Sequence, residues 1–351
     1  MQISPKFNLK IVEKIHSEGV KSALYLVEDT QLGSRFILKQ IDKKNFKEVD
    51  KYFEESRKVY NSKHPNIIPI NTASYDDEYV YITMPYFKNG SLYHLLENKN
   101  LTIRQIIKYS LDFLSAIQYI HSNGIIHCDI KPNNILISDS MDAVLTDFGS
   151  ALYLNYLGNA RLKNVYYKHI APEQCTNSII SKKVDIYQIG TTLYRMCNGN
   201  EEYNKQARKY KDLNSLKLAC AKGRFPIRKK YLPHIPKSII SIIEKCLMID
   251  PQDRYDNVLE VMNDISNVNE NLDWHYSKRD KNYFTWTLDQ DQKSIQIALY
   301  KENDVWNIIN DDKIIPFIES KARGYREIRE IIKNYEKNSL TLTDQVRPLK
   351  G

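Results

Sequence analysis

No uninterrupted apolar run in this sequence approaches the roughly 20 residues a helix needs to cross a bilayer, so no membrane span is expected. The first residues, MQISPKFNLKIVEKI, have no apolar stretch followed by a small-residue cleavage site, which argues against secretion and for a cytoplasmic protein. The five cysteines, Cys128, Cys175, Cys197, Cys220 and Cys246, form no CxxC pair and have no histidine cluster at zinc-site spacing nearby. They read as reduced thiols. There is no internal repeat. What is present is the composition of a globular protein, with 42% hydrophobic and 27% charged residues. At 351 residues the chain exceeds what one core usually covers, so two or three compact units are expected.

The net charge of +8 is unevenly placed. Residues 201–237 carry 11 Lys and Arg against 3 acids, enough to account for the whole excess, whereas from Asn269 onward 14 basic and 14 acidic residues cancel. Such a run attracts an acidic partner or nucleic acid, or is simply a solvated face. The solvated face is the commoner case, and nucleic acid is not the expected partner.

One stretch organises the rest: His127 to Gly149, HCDIKPNNILISDSMDAVLTDFG. Asp129, Lys131 and Asn134 share one loop, two short apolar runs follow (Ile135 to Ile137 and Ala143 to Leu145), and Asp147 comes directly after. If the two runs pair as strands, Asp147 returns beside the loop. Carboxylate and amide oxygens gathered this way suit Mg²⁺, which takes a few protein oxygens and completes its shell with phosphate and water.

HCDIKPNN resembles the catalytic loop of protein kinases, and DFG resembles that family's magnesium motif; Ala171-Pro172-Glu173 follows downstream in the family's order. The resemblance covers residues 9–268. It implies a bilobal α+β fold with an antiparallel β N-lobe at 1–84 and a mainly helical C-lobe at 85–268. It further implies transfer of the ATP γ-phosphoryl group to a protein hydroxyl with Mg²⁺. Asp129 would orient or accept the hydroxyl proton, Lys131 would meet the γ-phosphoryl oxygens, and Asn134 with Asp147 would hold the metal. Lys131, two residues after the aspartate, is the pattern of Ser/Thr kinases.

In the N-lobe, LKIVEKI, ALYLVED and RFILKQI alternate apolar and polar positions and read as strands. Between the first two lies Ser17-Glu18-Gly19-Val20-Lys21-Ser22, aligned with the family's phosphate-covering loop but keeping only Gly19 of its glycines, with serines at Ser17 and Ser22. Lys39 ends FILK and matches the lysine that meets the α- and β-phosphates. Residues 45–61 have helical spacing, and the glutamate that pairs with Lys39 would be Glu55, or its neighbour Glu54; about 100° separates adjacent helical residues, so only one can face the lysine. YVYITM reads as a strand leading to a hinge, with Met84 at the back of the adenine pocket and the Phe87 N–H available to the base.

Ile103, Ile106, Ile107, Leu111, Leu114 and Ile117 mark one long helix ending at Asn123-Gly124. An activation segment runs from Ser150 to Ile170. Glu173 is expected to pair with Arg254, and Asp185 to hold the catalytic-loop backbone, with a plain N-cap as the alternative for Asp185. Two positions depart from the family pattern. Cys128 stands where many kinases carry the arginine that reads a phosphorylated activation loop, making this a non-RD type. Val165-Tyr166-Tyr167 replaces the usual Gly-Thr sequence, so Tyr166 takes the place of the threonine beside Asp129 and Lys131.

Beyond Asn269 the resemblance ends. YFTWTLD, SIQIALYK, DVWNIIN and KIIPFI read as strands and REIREIIKNYEK as an amphipathic helix, giving a C-terminal α+β module at 269–351 with Trp274, Trp286 and Trp306 in its core. Two rival readings stand beside the Ser/Thr kinase: a pseudokinase scaffold that binds nucleotide or a partner without transfer, and a small-molecule kinase.

Overall fold

In a computed structural model, residues 8–15, 22–45, 63–161, 169–176, 179–290, 293–311 and 313–344 are described; of 45, 290, 293 and 338–344 only the backbone is. Three of the alternating runs form strands where expected: β1 (Leu9–Ile15), β2 (Ser22–Asp29) and β3 (Arg35–Asp42). With β4 (Thr72–Tyr75) and β5 (Tyr79–Pro85) they make an antiparallel sheet in the order β1-β2-β3-β5-β4. β4 has no counterpart in the sequence reading. All four of its residues are exposed, so it lacks the in-out alternation that betrays a strand, and pairing with β5 alone creates it. The helix expected at 45–61, with Glu55 and Glu54, and the loop positions Ser17 and Gly19 lie outside the described residues.

Past the hinge come α1 (Leu92–Asn98) and α2 (Ile103–Ser122). A reciprocal cap between Thr102 and Gln105 starts α2, and Gly124 at φ 69° lets the chain leave it. Ile103, Ile106, Phe113, Leu114, Ile117 and Ile120 are buried, making α2 the spine of the larger core. β6 (Ile125–Ile126) then leads to the catalytic loop, followed by the hairpin β7 (Ile135–Ile137) and β8 (Ala143–Leu145), β9 (Leu152–Tyr153), β10 (Ala160–Arg161) and β11 (Ile179–Ile180). α3 (Lys183–Ala207) is buried through most of its first four turns and kinks at Gly199, φ 78°. α4 (Leu213–Ala221), α5 (Lys237–Cys246) and α6 (Val258–Ser266) complete the helical region.

A second antiparallel sheet follows as a simple meander: β12 (His275–Lys278), β13 (Tyr283–Gln290), β14 (Lys293–Glu302), β15 (Val305–Asn310) and β16 (Lys313–Ile318). Pro316 sits in β16, an edge strand, where its missing N–H breaks no ladder. α7 (Lys321–Asp344) packs over β14 to β16. Trp274 and Trp286 are wholly buried with Phe284, Ile297, Leu299, Ile308 and Ile328, and Trp306 packs against this cluster. This layer rests on the helical region through the Arg104–Asp273 pair (2.6 Å), the Lys278–Glu201 pair (2.6 Å) and a hydrogen bond from Trp286 Nε1 to His234 Nδ1 (3.2 Å). Among the described residues, no helix is long and apolar enough to cross a membrane.

Candidate active site

The β7–β8 hairpin does what its two apolar runs require. Ile135, Leu136 and Ile137 pair with Leu145, Val144 and Ala143, and the Thr146 N–H donates to the Asn134 carbonyl at 2.9 Å. Asp147 thereby returns beside the loop that carries Asp129, Lys131 and Asn134. Asp129, Lys131 and Asn134 are buried, at 7%, 6% and 6% exposure, while the Asp147 side chain is 43% open to the cleft.

Asp129 is the hub. Its Oδ2 lies 3.0 Å from Lys131 Nζ and accepts a hydrogen bond from Asn134 Nδ2 at 2.9 Å; the same amide also donates to the Asp129 carbonyl at 2.8 Å. Its Oδ1 is buried and accepts no hydrogen bond from any described residue. A buried acceptor left open costs about 1–3 kcal/mol, so this oxygen is held ready for a donor that comes from outside. Burial pushes the Asp129 carboxyl above its ordinary range, against the pull of Lys131.

Asp147 behaves oppositely. Lys39 Nζ reaches its Oδ1 at 2.7 Å, and the ammonium pulls the carboxyl down to about 2 despite the local desolvation. Asp147 sits in the left-handed region at φ 61°. With its Nδ2 hydrogens given to Asp129, Asn134 has only its amide oxygen left to offer a ligand. That oxygen and the Asp147 carboxylate form a hard, all-oxygen donor set, which suits Mg²⁺ and gives nothing to a soft metal.

The loop is fixed from beneath by α3. Asp185, fully buried, accepts the backbone N–H of His127 (2.8 Å, Oδ2) and of Cys128 (2.8 Å, Oδ1), and the His121 ring N–H at 2.7 Å. Burial alone would raise this carboxyl; His121 and the loop amides hold it below its ordinary value. The loop-anchoring reading of Asp185 therefore holds over the N-cap. Gln188, one turn on, accepts the Ile130 N–H and donates to the Cys128 carbonyl, both at 2.9 Å. His127 donates from Nε2 to the Thr146 carbonyl at 3.1 Å and lies 5.0 Å from the Phe148 ring. His121, His127 and Gln188 escaped the sequence reading. Gln188 is the one of the three with a local signal, being one turn beyond Asp185 on the same buried helix.

Glu173 and Arg254 meet in a two-pronged ion pair, Nη1–Oε1 and Nη2–Oε2 each 2.7 Å. The guanidinium also donates to the carbonyls of Lys183, Met248 and Ile249. Toward the hinge, Met84 lies on β5 and packs against Ile41, Val80 and Ile82. Phe87 is half-buried and its carbonyl accepts the Gly90 N–H at 3.0 Å. Ser22 opens β2, paired with Ile41. Tyr166 is outside the described residues.

A family model of the protein kinase domain matches residues 11–265. The chain belongs to the protein kinase family. Its fold is accordingly the bilobal α+β kinase fold, and its relatives are named as Ser/Thr kinases. It is 30% identical over 255 residues to the serine/threonine-protein kinase PrkC of Bacillus subtilis, covering 70% of this chain and 38% of that protein. It is 27% identical over 321 residues to a probable serine/threonine-protein kinase PknB of Lactococcus lactis, covering 89% of this chain and 48% of that one. With mouse serine/threonine-protein kinase Nek1 the identity is 28% over 247 residues, 68% of this chain and 20% of that protein. The kinase chain thus spans less than half the length of each of these relatives.

Proposed function

We infer that this kinase transfers the γ-phosphoryl group of ATP to a serine or threonine hydroxyl of a protein substrate. The observation that carries this reading is the open Oδ1 of buried Asp129, on a loop that also presents Lys131 and Asn134. The acceptor hydroxyl donates to Asp129, which orients its oxygen and takes its proton as the bond to phosphorus forms. Lys131, 3.0 Å from the same carboxylate, neutralises charge on the transferred group. Lys39 holds the α- and β-phosphates, paired with Glu55. Ser17, Gly19 and Ser22 cover the phosphates, and Met84 and Phe87 form the adenine slot. Asn134 and Asp147 would hold Mg²⁺, which when bound neutralises the phosphates.

The chain divides, on this reading, into an N-lobe (1–84), a C-lobe (85–268) and an accessory module (269–351), in a cytoplasmic protein. The basic run at 201–237 is where an acidic partner binds. Incubation with labelled ATP, Mg²⁺ and generic protein acceptors tests the reading, with Asp129→Ala as control. Label on serine and threonine that vanishes in the variant is expected; no label with any metal would favour a scaffold.

A further inference from the structure

An open cavity of about 560 Å³ lies beside the catalytic loop. Asn133 forms part of its wall, and Asn133 is the chain neighbour of Asn134, whose amide touches Asp129. Adjacent Cα atoms are about 3.8 Å apart, so the cavity begins within two or three residues' reach of the phosphoacceptor position. Its charged lining is Arg195, Arg208, Lys211 and Asp212. The single acid, Asp212, is the N-cap of α4, its Oδ1 accepting the Ser215 N–H at 2.7 Å, and three cations in the lining outnumber it.

Arg195 is 4% exposed and held in one orientation. Its Nε and Nη2 donate to Asn200 Oδ1 at 3.1 and 2.6 Å, and its guanidinium carbon lies 5.0 Å from the Tyr203 ring centre and 5.3 Å from that of Tyr93. Nη1 donates to His169 Nε2 at 2.7 Å, so the ring proton is on Nδ1, which donates to Thr191 Oγ1 at 3.1 Å. Thr191 donates in turn to the Gln188 carbonyl at 2.9 Å, and the Gln188 side chain grips the catalytic loop. Arg195, in the wall of the cavity, and the catalytic loop are therefore tied to the same stretch of α3.

We propose that this cavity selects substrates: it takes an acidic or already phosphorylated side chain two or three residues from the serine or threonine acceptor. The proposal rests on the kinase reading above and names its substrate class. The positive charge of a rigid, desolvated guanidinium acts on a nearby anion more strongly than that of a solvated one. Arg208 and Lys211 at the rim supply mobile positive charge that steers the peptide in. A bounded cavity of about 560 Å³ suits a single anionic side chain, whereas nucleic acid is tracked by a continuous basic groove.

The test measures binding and transfer separately, using labelled serine peptides that differ only near the acceptor, carrying alanine, glutamate, phosphoserine or lysine there. Anisotropy with the 351-residue chain is expected to show the glutamate peptide binding about tenfold tighter than the alanine one, and phosphoserine tighter again. In the double variant Arg208→Glu, Lys211→Glu, both exposed residues, the preference should disappear while affinity for the alanine peptide holds. Arg195 is left intact because removing it from a buried network would disturb the lobe. Equal affinity for alanine and glutamate peptides overturns the proposal, as does a preference that survives the double variant. So does an oligonucleotide that binds in a manner sensitive to the double variant while the peptides show no preference. Absence of transfer to every peptide, with the binding preference intact, would sink the kinase reading and still support the cavity as an acid-binding site.

Discussion

Asp185 Oδ1 accepts the backbone N–H of Cys128 at 2.8 Å, across 57 residues of sequence, and Cys128 sits there at φ 64°. A left-handed conformation disfavours a cysteine by roughly 1–2 kcal/mol. Two amide hydrogen bonds to a buried carboxylate, worth about 1.5–3 kcal/mol each, hold it. The strained turn is what aims Asp129 and Lys131 at the cleft.

Replacing Asp185 by Asn puts an amide nitrogen near backbone donors and loosens that turn. Asp185→Asn is expected to lower kcat by about 100-fold, because catalysis here is positioning. Initial rates at saturating ATP, with a thermal melt to check folding, measure it; an unchanged kcat would remove the anchoring role.

Cys128 cannot make the charge-assisted bond by which an arginine reads a phosphorylated loop. Phosphatase treatment should leave the rate within about twofold, and rephosphorylation should not raise it. The thiol is buried and its pKa is pushed far up, first by burial and then by Asp185 and Asp129, so it should also resist maleimide at neutral pH in the folded protein. Rapid native labelling, followed by mass spectrometry, would contradict that.

The two cleft aspartates predict the acid side of the pH–rate profile. Asp129 acts ionised, and its pKa is raised, so activity should fail as pH drops through a value above the usual 3.9 or so for aspartate. Asp147, held at about 2 by Lys39, stays charged throughout that range. An acid limb at or below the ordinary aspartate value would rule out Asp129 as the titrating group.

Much of this site could be read from the chain. The loop, the hairpin and the second aspartate are close in sequence, and turn and strand rules bring them together. β4 and β12 could not be read, because an exposed four-residue strand, or one with a single half-buried residue, carries no hydrophobic period. The anchoring role of His121 could not either, since it depends on which face of a helix meets the loop.

Arg254 is wholly buried against Glu173, so truncating it strands a carboxylate in the core. Arg254→Met is expected to destabilise the kinase by about 3–5 kcal/mol, with the Glu173→Gln, Arg254→Met pair recovering part of the loss. Urea unfolding of the three variants decides; a single substitution within 1 kcal/mol of wild type, on the order of a surface pair, would contradict the buried lock.

His234, at the seam between the helical region and the second sheet, has its pKa lowered to about 3, first by burial and then by Arg329 and His275. Unfolded, it takes a proton near pH 6.5, so the folded state loses stability as pH falls below that value, by up to about 1.4 kcal/mol per unit until about pH 3. His234→Gln, which keeps an acceptor for Trp286, should flatten this fall. Urea midpoints at pH 7 and 5 followed by tryptophan fluorescence measure it, and parallel curves for the two proteins would refute it.

The sequence by itself determined the chemistry of the central loop: which oxygens and which ammonium are offered, and that cysteine replaces arginine among them. Those are properties of residue type and short spacing, and short loops close one way. Tertiary structure alone decided that Asp185 and Gln188 grip the loop, that Glu173 finds Arg254 across 81 residues, and that His234 is kept neutral. It also decided that cations from α3 and the turn after it gather in one cavity beside Asn133. Burial and long-range pairing depend on how helices pack, and no local period encodes which face of one helix meets which loop of another.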